Sequence, residues 1–237
     1  EPCCLGIDGA GRGPVLGSLV YAVAFCPVAD QGRISREAYA DSKTLTEAQR
    51  DALLARIGSD KRMGHLERSI SPQEISAAML RREPESLNAL SFDAALSLVQ
   101  QALDLGVRLE EVYVDTVGDP ERYEQRIRSR FPGIRSVTVC PKADALYPIV
   151  SAASICAKVT RDRELASWAF EEAFPEGSAP GTSWGCGYPG DADTKAWLES
   201  SCDRVFGFPS VVRFSWSTAK RMLEGAACEA VFEADAD

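Results

Sequence analysis

The sequence predicts an α/β protein whose first two thirds build a sheet with helices and whose last third is mainly helical. Three observations support this class. Short runs rich in β-branched and aromatic residues alternate with stretches in which apolar residues recur every three or four positions. A glycine- and proline-rich segment, 175–191, separates the last two helical stretches from the others. With 45% apolar residues among 237, the chain can bury a sizeable core.

Five strands are predicted, and the first two frame a glycine-dense loop. The chain opens on LGID at 5–8, passes four glycines between 9 and 17, and enters an apolar run that Pro27 ends. Glycine has no Cβ, so this loop is suited to close approach of another group to the main chain. The further strands are predicted at 61–70, 112–115 and 136–140.

Helices are predicted from their start and stop residues. Ser71-Pro72 and Asp119-Pro120 each place a capping side chain before a proline, a combination typical of a first helical turn. A helix over 87–105 ends at Gly106, and another runs from Pro148 for about 25 residues to Pro175. The remaining helices are predicted over 194–201, over 218–233 and after a threonine cap at Thr46 or Thr44.

Composition narrows the class of protein. The net charge of −9 argues against bulk electrostatic binding of nucleic acid, yet five of the acids lie in 222–237 without any base. The remainder carries only −4 and can still hold a basic groove. No apolar run approaches the roughly 20 residues of a membrane span, and no signal-peptide pattern is visible. The eight scattered cysteines form no CxxC pair, which favours reduced thiols in an intracellular protein.

Three aspartates share one position relative to the predicted strands. Asp8 ends LGID, Asp115 ends VYVD, and Asp144 follows SVTVC after a short link. Strand ends meet at one edge of an open sheet, where gathered carboxylates call for a divalent cation, and oxygen-only ligands suit Mg²⁺ or Mn²⁺. Each aspartate taken singly also fits a turn or a helix cap. The single histidine, His65, lies in an ordinary strand pattern and is interpreted as structural.

The glycine run has a second interpretation, a dinucleotide-binding fingerprint. That motif requires G-x-G-x-x-G between a strand and a helix, with an acid about 20 residues further on. Here the pair Gly11 and Gly13 is followed by Gly17, one residue too late, and the next segment is predicted as a strand. We therefore expect no NAD(P) cofactor.

Taken together, the motifs resemble those of the catalytic subunits of the type 2 ribonuclease H family, with the eukaryotic form the nearest. The blocks that carry the resemblance lie in order from residue 5 to about 220: GIDGAGRGPVLG with LVYA, DSKTLT, LNALSFD, YVDTVGDP, KADALYPIVSAASICAKVTRDR, GYP and GFPSVVRFSW. The resemblance implies a ribonuclease H-like fold, with a central mixed β-sheet flanked by helices and a helical C-terminal region. We predict a catalytic domain over 1–175 and, continuous with it, a substrate loop and helical region over 176–237.

The resemblance also implies an activity and a cofactor. Family members cleave the RNA strand of RNA/DNA hybrids and incise 5′ of single ribonucleotides embedded in duplex DNA. Two Mg²⁺ or Mn²⁺ ions held by four carboxylates activate water and stabilise the leaving 3′ oxygen. Matched by motif, Asp8, Asp115 and Asp144 are three of those catalytic metal ligands.

Substrate-binding residues follow from the same motifs. Gly11, Arg12 and Gly13 match the family's GRG motif, whose backbone tests the ribose for the 2′-hydroxyl that a DNA sugar lacks. Tyr188, in GYP, matches the tyrosine that stacks on the deoxyribose after the RNA-to-DNA junction. The resemblance therefore assigns recognition of the ribonucleotide to two separate stretches of sequence.

Backbone contacts and protein partners are implied as well. Lys43 in DSKTL and Asn88 in LNAL match polar positions near the nucleic-acid backbone. Four more basic residues are candidates for a groove that contacts the phosphates: Lys142, Lys158, Arg161 and Arg163. The last two also fit a solvated helix face. Eukaryotic members form a heterotrimer with two non-catalytic subunits bound around the C-terminal region. We therefore expect such partners, a hybrid or ribonucleotide-containing duplex as substrate, a nuclear location and no membrane.

One position departs from the family pattern. The family has Glu directly after the first Asp, whereas this chain has Gly9, so one of four metal ligands is missing. Such a loss predicts weaker metal binding and a rate lower by roughly 10²-fold or more. Three explanations are open: a naturally weak enzyme, a substitution particular to this chain, which we favour, or compensation by Asp162 or Asp41. The competing hypothesis is a non-catalytic subunit that binds hybrids.

Overall fold

A mixed five-stranded sheet is formed by the described residues of the computed structural model, which are 1–36, 45–116, 118–174 and 176–229. The strands are β1 (Pro2–Ala10), β2 (Leu19–Pro27), β3 (Gly64–Ile70), β4 (Arg108–Asp115) and β5 (Ser136–Cys140), in the order β3-β2-β1-β4-β5. Strand β2 pairs antiparallel with β1 and β3, whereas β4 pairs parallel with β1 and β5. The predicted mixed sheet and all five predicted strands are confirmed.

The helices are α1 (Gln31–Arg36), α2 (Glu47–Ser59), α3 (Pro72–Leu80), α4 (Leu87–Asp104), α5 (Pro120–Arg130), α6 (Ala143–Leu146), α7 (Pro148–Ala166), α8 (Ala192–Ser201) and α9 (Ser217–Ala226). The predicted caps are confirmed: Thr46 forms a capping box with Gln49, Ser71 accepts from the Glu74 amide, and Asp119 accepts from two first-turn amides. The short helices α1 and α6 were not predicted, because a segment of four to six residues carries too little periodicity.

The chain divides into two compact units. The first comprises Glu1–Arg12, Leu19–Ile70 and Glu85–Arg163, and the second comprises Gly13–Ser18, Ser71–Pro84 and Glu164–Asp237. This division differs from the single boundary expected at residue 175, because two early segments pack with the C-terminal third. The chain changes unit between Arg12 and Gly13, inside the GRG motif. The functional assignment over 1–175 and 176–237 stays a prediction.

The core of the first unit packs the small-residue face of α7 against the sheet. Ala152, Ala153 and Ala157 are fully buried there with the apolar side chains of β1 and β2. A Cβ at Gly6 would lie 2.5 Å from the carbonyl carbon of Ile149 and 2.5 Å from the amide nitrogen of Val150. Strand β1 and the first turn of α7 are therefore in backbone contact, two residues before Asp8.

The core of the second unit is aromatic. Trp184 and Trp197 meet edge to face at 5.4 Å between ring centroids, and the buried Arg213 donates from Nε to the Gly17 carbonyl at 2.8 Å. Trp168 and Phe170 pack against this cluster. The helix predicted from Pro148 to Pro175 ends at Ala166 instead, because these aromatic side chains leave the helical path to join the cluster.

Two further observations bear on the class of protein. In the described part of the chain every cysteine is free, and the buried thiols of Cys4 and Cys26 lie 3.5 Å apart across β1 and β2. Among the described helices, none has the length and apolar character needed to cross a bilayer. The last predicted helix, 218–233, ends at Ala226 within the residues described.

Candidate active site

The sheet brings the three strand-end aspartates to one edge. Asp8 and Asp115 come from the neighbouring parallel strands β1 and β4, where Ile7 pairs with Val114 immediately before them. Asp115 in turn pairs with Cys140, the last residue of β5, and Asp144 lies four residues later in α6. The expectation that strand ends would gather these carboxylates is met by the register of the parallel strands.

A strained turn aims α6 at Asp115. Lys142 has φ 57° and ψ 37°, the left-handed conformation that residues with a Cβ rarely adopt. The turn lets the amide of Ala143 donate to Asp115 Oδ1 at 3.1 Å, beside the amide of Thr116 at 3.1 Å. Two backbone donors thus fix one carboxylate oxygen of Asp115. They also anchor the short helix that carries Asp144, which is 5% exposed.

Burial raises the pKa of Asp8 to about 7 from its ordinary value of 3.8. The hydroxyl of Ser154 and the amide of Gly9, at 2.7 Å from Oδ1, stabilise the ionised carboxylate and partly oppose this rise. The charges of Asp115 and Asp144 raise the pKa of Asp8 further. Asp8 therefore lies within electrostatic range of both Asp115 and Asp144.

The donor chemistry of this edge fits a divalent cation. All three candidate ligands are carboxylates, which suit Mg²⁺ or Mn²⁺, and a cation would offset the repulsion that adds to the effect of burial on the pKa of Asp8. Within the described residues, no three acidic, histidine or cysteine side chains are grouped so that they could hold a metal ion. The metal-binding role of the three aspartates therefore stays a prediction.

Tyr21 covers the position of the missing ligand. Gly9 in β1 pairs directly with Tyr21 in β2, and a Cβ at Gly9 would lie 2.9 Å from Cζ of the tyrosine ring. The ring is buried, which raises the pKa of Tyr21. A longer side chain at position 9 thus requires the Tyr21 ring to move.

Arg12 is anchored by α4 within the first unit. Its guanidinium donates from Nη2 to Asn88 Oδ1 and from Nη1 to Ser91 Oγ at 3.3 Å. Ser91 gives its own hydroxyl hydrogen to the Leu87 carbonyl at 2.8 Å, so it is free to accept from Arg12. Asn88, predicted near the nucleic-acid backbone, therefore also orients Arg12.

Gly13 and Tyr188 lie together in the second unit. A Cβ at Gly13 would lie 3.2 Å from Cε1 of Tyr188, whose ring is 45% exposed. The Gly13 carbonyl accepts from Trp216 Nε1 at 3.0 Å, and the Gly187 carbonyl accepts from the amide of Val15 at 2.8 Å. Within the second unit, residues 13–15 and the GYP loop are thereby held against each other, and the exposed ring of Tyr188 lies beside Gly13.

Comparisons with known proteins agree with this geometry. Residues 5–219 match the family model described as Ribonuclease HII. The chain belongs to the ribonuclease HII family. The ribonuclease H2 A subunit of Bos taurus is 52% identical over 234 residues, which cover 98% of this chain and 77% of that protein. Family membership confirms the prediction of a ribonuclease H hydrolase.

Solved structures support the same fold. The ribonuclease H2 of Pyrococcus horikoshii OT3 superposes with a TM-score of 0.76 at 32% identity, covering 94% of this chain and 98% of that one. Bst-RNase HIII in complex with Mn²⁺ matches with a TM-score of 0.69, covering 94% of this chain and 70% of that one, but its 17% identity shows likeness of fold alone. The predicted ribonuclease H-like fold is confirmed.

The other predicted site residues of this ribonuclease HII chain lie elsewhere or outside the described residues. Lys43 and Asp41 fall outside them. Asp162 pairs with Arg50 at 3.4 Å and with Arg161 at 3.0 Å, so its carboxylate is engaged away from the three aspartates. Arg163 pairs with Asp51 at 2.6 Å. Lys142 lies in the strained turn and Lys158 is half-buried on α7, and their place in a phosphate groove stays a prediction. His65 lies 3.6 Å from Glu67 in β3.

Three residues of the site were not predicted from the sequence: Tyr21, Ser91 and Ser154. Their contacts depend on the pairing of β1 with β2 and on the packing of α4 and α7 against the sheet. The available signal was the position of Gly9 and Tyr21, which lie one and two residues from the loop that joins the two strands. That signal fixes a pair only when the turn geometry is known.

Proposed function

We propose that this chain is the catalytic subunit of a type 2 ribonuclease H, which cleaves the RNA strand of RNA/DNA hybrids and incises 5′ of single ribonucleotides in duplex DNA. The observation that carries the proposal is the register of β1, β4 and β5, which brings Asp8, Asp115 and Asp144 to one sheet edge. The ribonuclease H2 relatives from Bos taurus and Homo sapiens, similar over nearly the whole chain, support it.

Two Mg²⁺ or Mn²⁺ ions are the proposed cofactors, held by Asp8, Asp115 and Asp144. Bound there, they would supply an activated water and stabilise the leaving 3′ oxygen. The protein prepares these ligands: Ser154 and the Gly9 amide hold the Asp8 carboxylate, and the amides of Thr116 and Ala143 hold that of Asp115. Fixed ligands reduce the reorganisation that ion binding requires.

Recognition of the ribonucleotide is assigned to the GRG motif and Tyr188. Gly11 has φ 86°, a conformation that glycine adopts readily. Because glycine has no Cβ, a ribose can approach the backbone at this position. Arg12 is held by Asn88, and the exposed ring of Tyr188 rests over Gly13. A backbone donor or acceptor that pairs with the 2′-hydroxyl favours ribose over deoxyribose.

Gly9 impairs this activity in our proposal. A non-catalytic hybrid-binding protein is the second candidate, and one observation favours it: the Tyr21 ring occupies the space next to Gly9 that a ligand side chain would need. We also propose a heterotrimer with two non-catalytic subunits and a nuclear location. The relatives are named as single subunits of ribonuclease H2, which supports an assembly, and a genomic duplex substrate supports the nucleus.

The two candidates are separated by a duplex containing one ribonucleotide. The chain, together with its partner subunits, is incubated with this duplex and Mg²⁺, and both binding and strand incision are measured. Incision 5′ of the ribonucleotide, lost in Asp115→Asn, supports the enzyme. Binding that prefers this duplex to all-DNA, without incision above the Asp115→Asn background, supports the non-catalytic role and overturns the enzyme.

A further inference from the structure

Helix α5 carries an arginine stripe that the active site does not use. The helix contains four arginines and two glutamates, and one arginine has different contacts from the other three. Arg128 pairs with Glu124 at 2.8 Å and donates to the Val137 carbonyl at 3.2 Å, so it folds back onto β5. Arg122, Arg126 and Arg130, the arginine stripe, are spaced four residues apart and share the opposite, exposed face. Successive members lie about 6 Å apart along the helix axis.

The arginine stripe lines a surface cavity of about 600 Å³. The lining consists of the three arginines with Leu96, Gln125 and Ser129, and it contains no carboxylate. Among the described residues no acid forms an ion pair with any of the three arginines. In a chain whose net charge is −9, three exposed cations without acidic partners around one cavity mark a local positive field.

One arginine of the stripe is held in place by an aromatic ring. The guanidinium of Arg126 lies 4.9 Å from the ring centroid of Phe92, a cation–π distance. Phe92 is itself buried and meets Tyr123 edge to face at 4.3 Å between centroids. The guanidinium is thus held against a buried ring at the wall of the cavity. Binding of an anion there would therefore cost less side-chain conformational entropy.

Helix α4 connects this cavity to the anchor of Arg12. Asn88, Phe92 and Leu96 are four residues apart and therefore lie on one face of α4. Asn88 binds Arg12, Phe92 carries Arg126, and Leu96 lines the cavity. The cavity that the arginine stripe lines is thus about 12 Å along α4 from Asn88, the residue that binds Arg12.

We propose that the arginine stripe binds the phosphodiester backbone of the duplex that flanks the cleavage site. This inference rests on the proposed function, because it extends the same substrate along α4 and α5. The spacing of the cations suits a regularly charged polyanion, and Gln125 and Ser129 supply additional hydrogen-bond donors to phosphate oxygens. An acidic protein surface is the less favoured occupant, because Leu96 is the one apolar residue lining the cavity and protein interfaces have apolar cores.

The test compares two triple variants of the full chain. Arg122→Gln/Arg126→Gln/Arg130→Gln removes the stripe. Arg108→Gln/Arg128→Gln/Arg135→Gln removes the same charge at exposed arginines that do not line the cavity. Affinity for a duplex of about 30 base pairs with one ribonucleotide is measured without divalent metal at 50 and 200 mM salt. Thermal melting confirms that both variants fold.

Each lost phosphate contact lowers the slope of log affinity against log salt by about 0.9. The unmodified chain should therefore lose about 40-fold more affinity than the stripe variant between the two salt concentrations. The control variant should behave like the unmodified chain. Equal slopes in the stripe variant and the unmodified chain would overturn the inference. The proposed function is judged separately, because it requires that the unmodified chain prefer the ribonucleotide duplex to all-DNA.

Discussion

Replacing Asp8 by asparagine should make the metal-free protein more stable at slightly alkaline pH. In the folded chain this carboxylate is buried, and Asp115 and Asp144 face it. Without a cation, its ionised form is poorly solvated and repelled, so the folded state carries an unfavourable charge. The introduced amide would keep an oxygen to accept from the Gly9 amide while removing that charge. A group needed for chemistry would thus be one that weakens the fold.

The magnitude follows from the pKa of Asp8. The folded value of about 7 exceeds the ordinary 3.8, and each pKa unit corresponds to ~1.36 kcal/mol, so ionisation costs the folded state about 4 kcal/mol at most. Because the folded pKa is raised, the folded chain binds more protons than the unfolded chain between these two values. The stabilising contribution of Asp8 to the free energy of unfolding is therefore fully present below pH 3.8. It falls as the pH rises through about 7 and then levels off.

Urea unfolding without divalent metal, at pH 5 and pH 8, measures this effect. Asp8→Asn should raise the free energy of unfolding by about 2 to 4 kcal/mol at pH 8, with a smaller gain at pH 5. Asp93→Asn, at an exposed position of α4, is the matched control and should change it by less than about 0.5 kcal/mol. A loss of stability in Asp8→Asn at pH 8 would refute the reasoning. Added Mg²⁺ should stabilise the unmodified chain more than the variant.

Further predictions concern the backbone that positions the site. Gly6→Ala should lower the free energy of unfolding by about 3 kcal/mol in the same urea titration, because its Cβ would meet the backbone of α7. The control is Gly58→Ala in α2, where the new Cβ makes only ordinary contacts. It should raise the free energy of unfolding by about 0.5 to 1 kcal/mol. Lys142→Gly should raise the melting temperature by relieving up to about 1 kcal/mol of left-handed strain, and Lys142→Ala should leave it unchanged. Tyr188→Ala should reduce the preference for ribonucleotide-containing over all-DNA duplex in a binding titration, with little effect on melting.

Much of the fold could be predicted because the local signals agree. The strands that deliver Asp8 and Asp115 are apolar runs that end in an acid, and the caps at Ser71 and Asp119 mark helix starts by their own side chains. The length of α7 could not be predicted. Its sequence continues with helix-forming residues beyond Ala166, but Trp168 and Phe170 gain more by packing into the aromatic core of the second unit. The units themselves depend on such long-range packing.

The site could be predicted in part. Asp8, Asp115 and Asp144 share a sequence context that fixes their place at the sheet edge, and the motif resemblance supplied the residues that we propose bind the substrate. The contact between Tyr21 and Gly9 depends on strand register, and register depends on the conformation of the eight residues between β1 and β2. The cation–π contact of Arg126 with Phe92 likewise depends on how α4 and α5 pack together. The sequence predicts each helix but not their packing.

We propose that this chain holds a ribonuclease H centre that lacks one metal ligand, at position 9. Single-turnover incision of a duplex with one ribonucleotide, in Mg²⁺, compares Gly9→Glu with Gly9→Gln, which displaces the Tyr21 ring equally but carries no charge. We expect Gly9→Glu to incise roughly 10²-fold or more faster than the unmodified chain, and Gly9→Gln to show no such gain. No gain with glutamate, or an equal gain with glutamine, would show that a missing carboxylate at position 9 does not limit the rate.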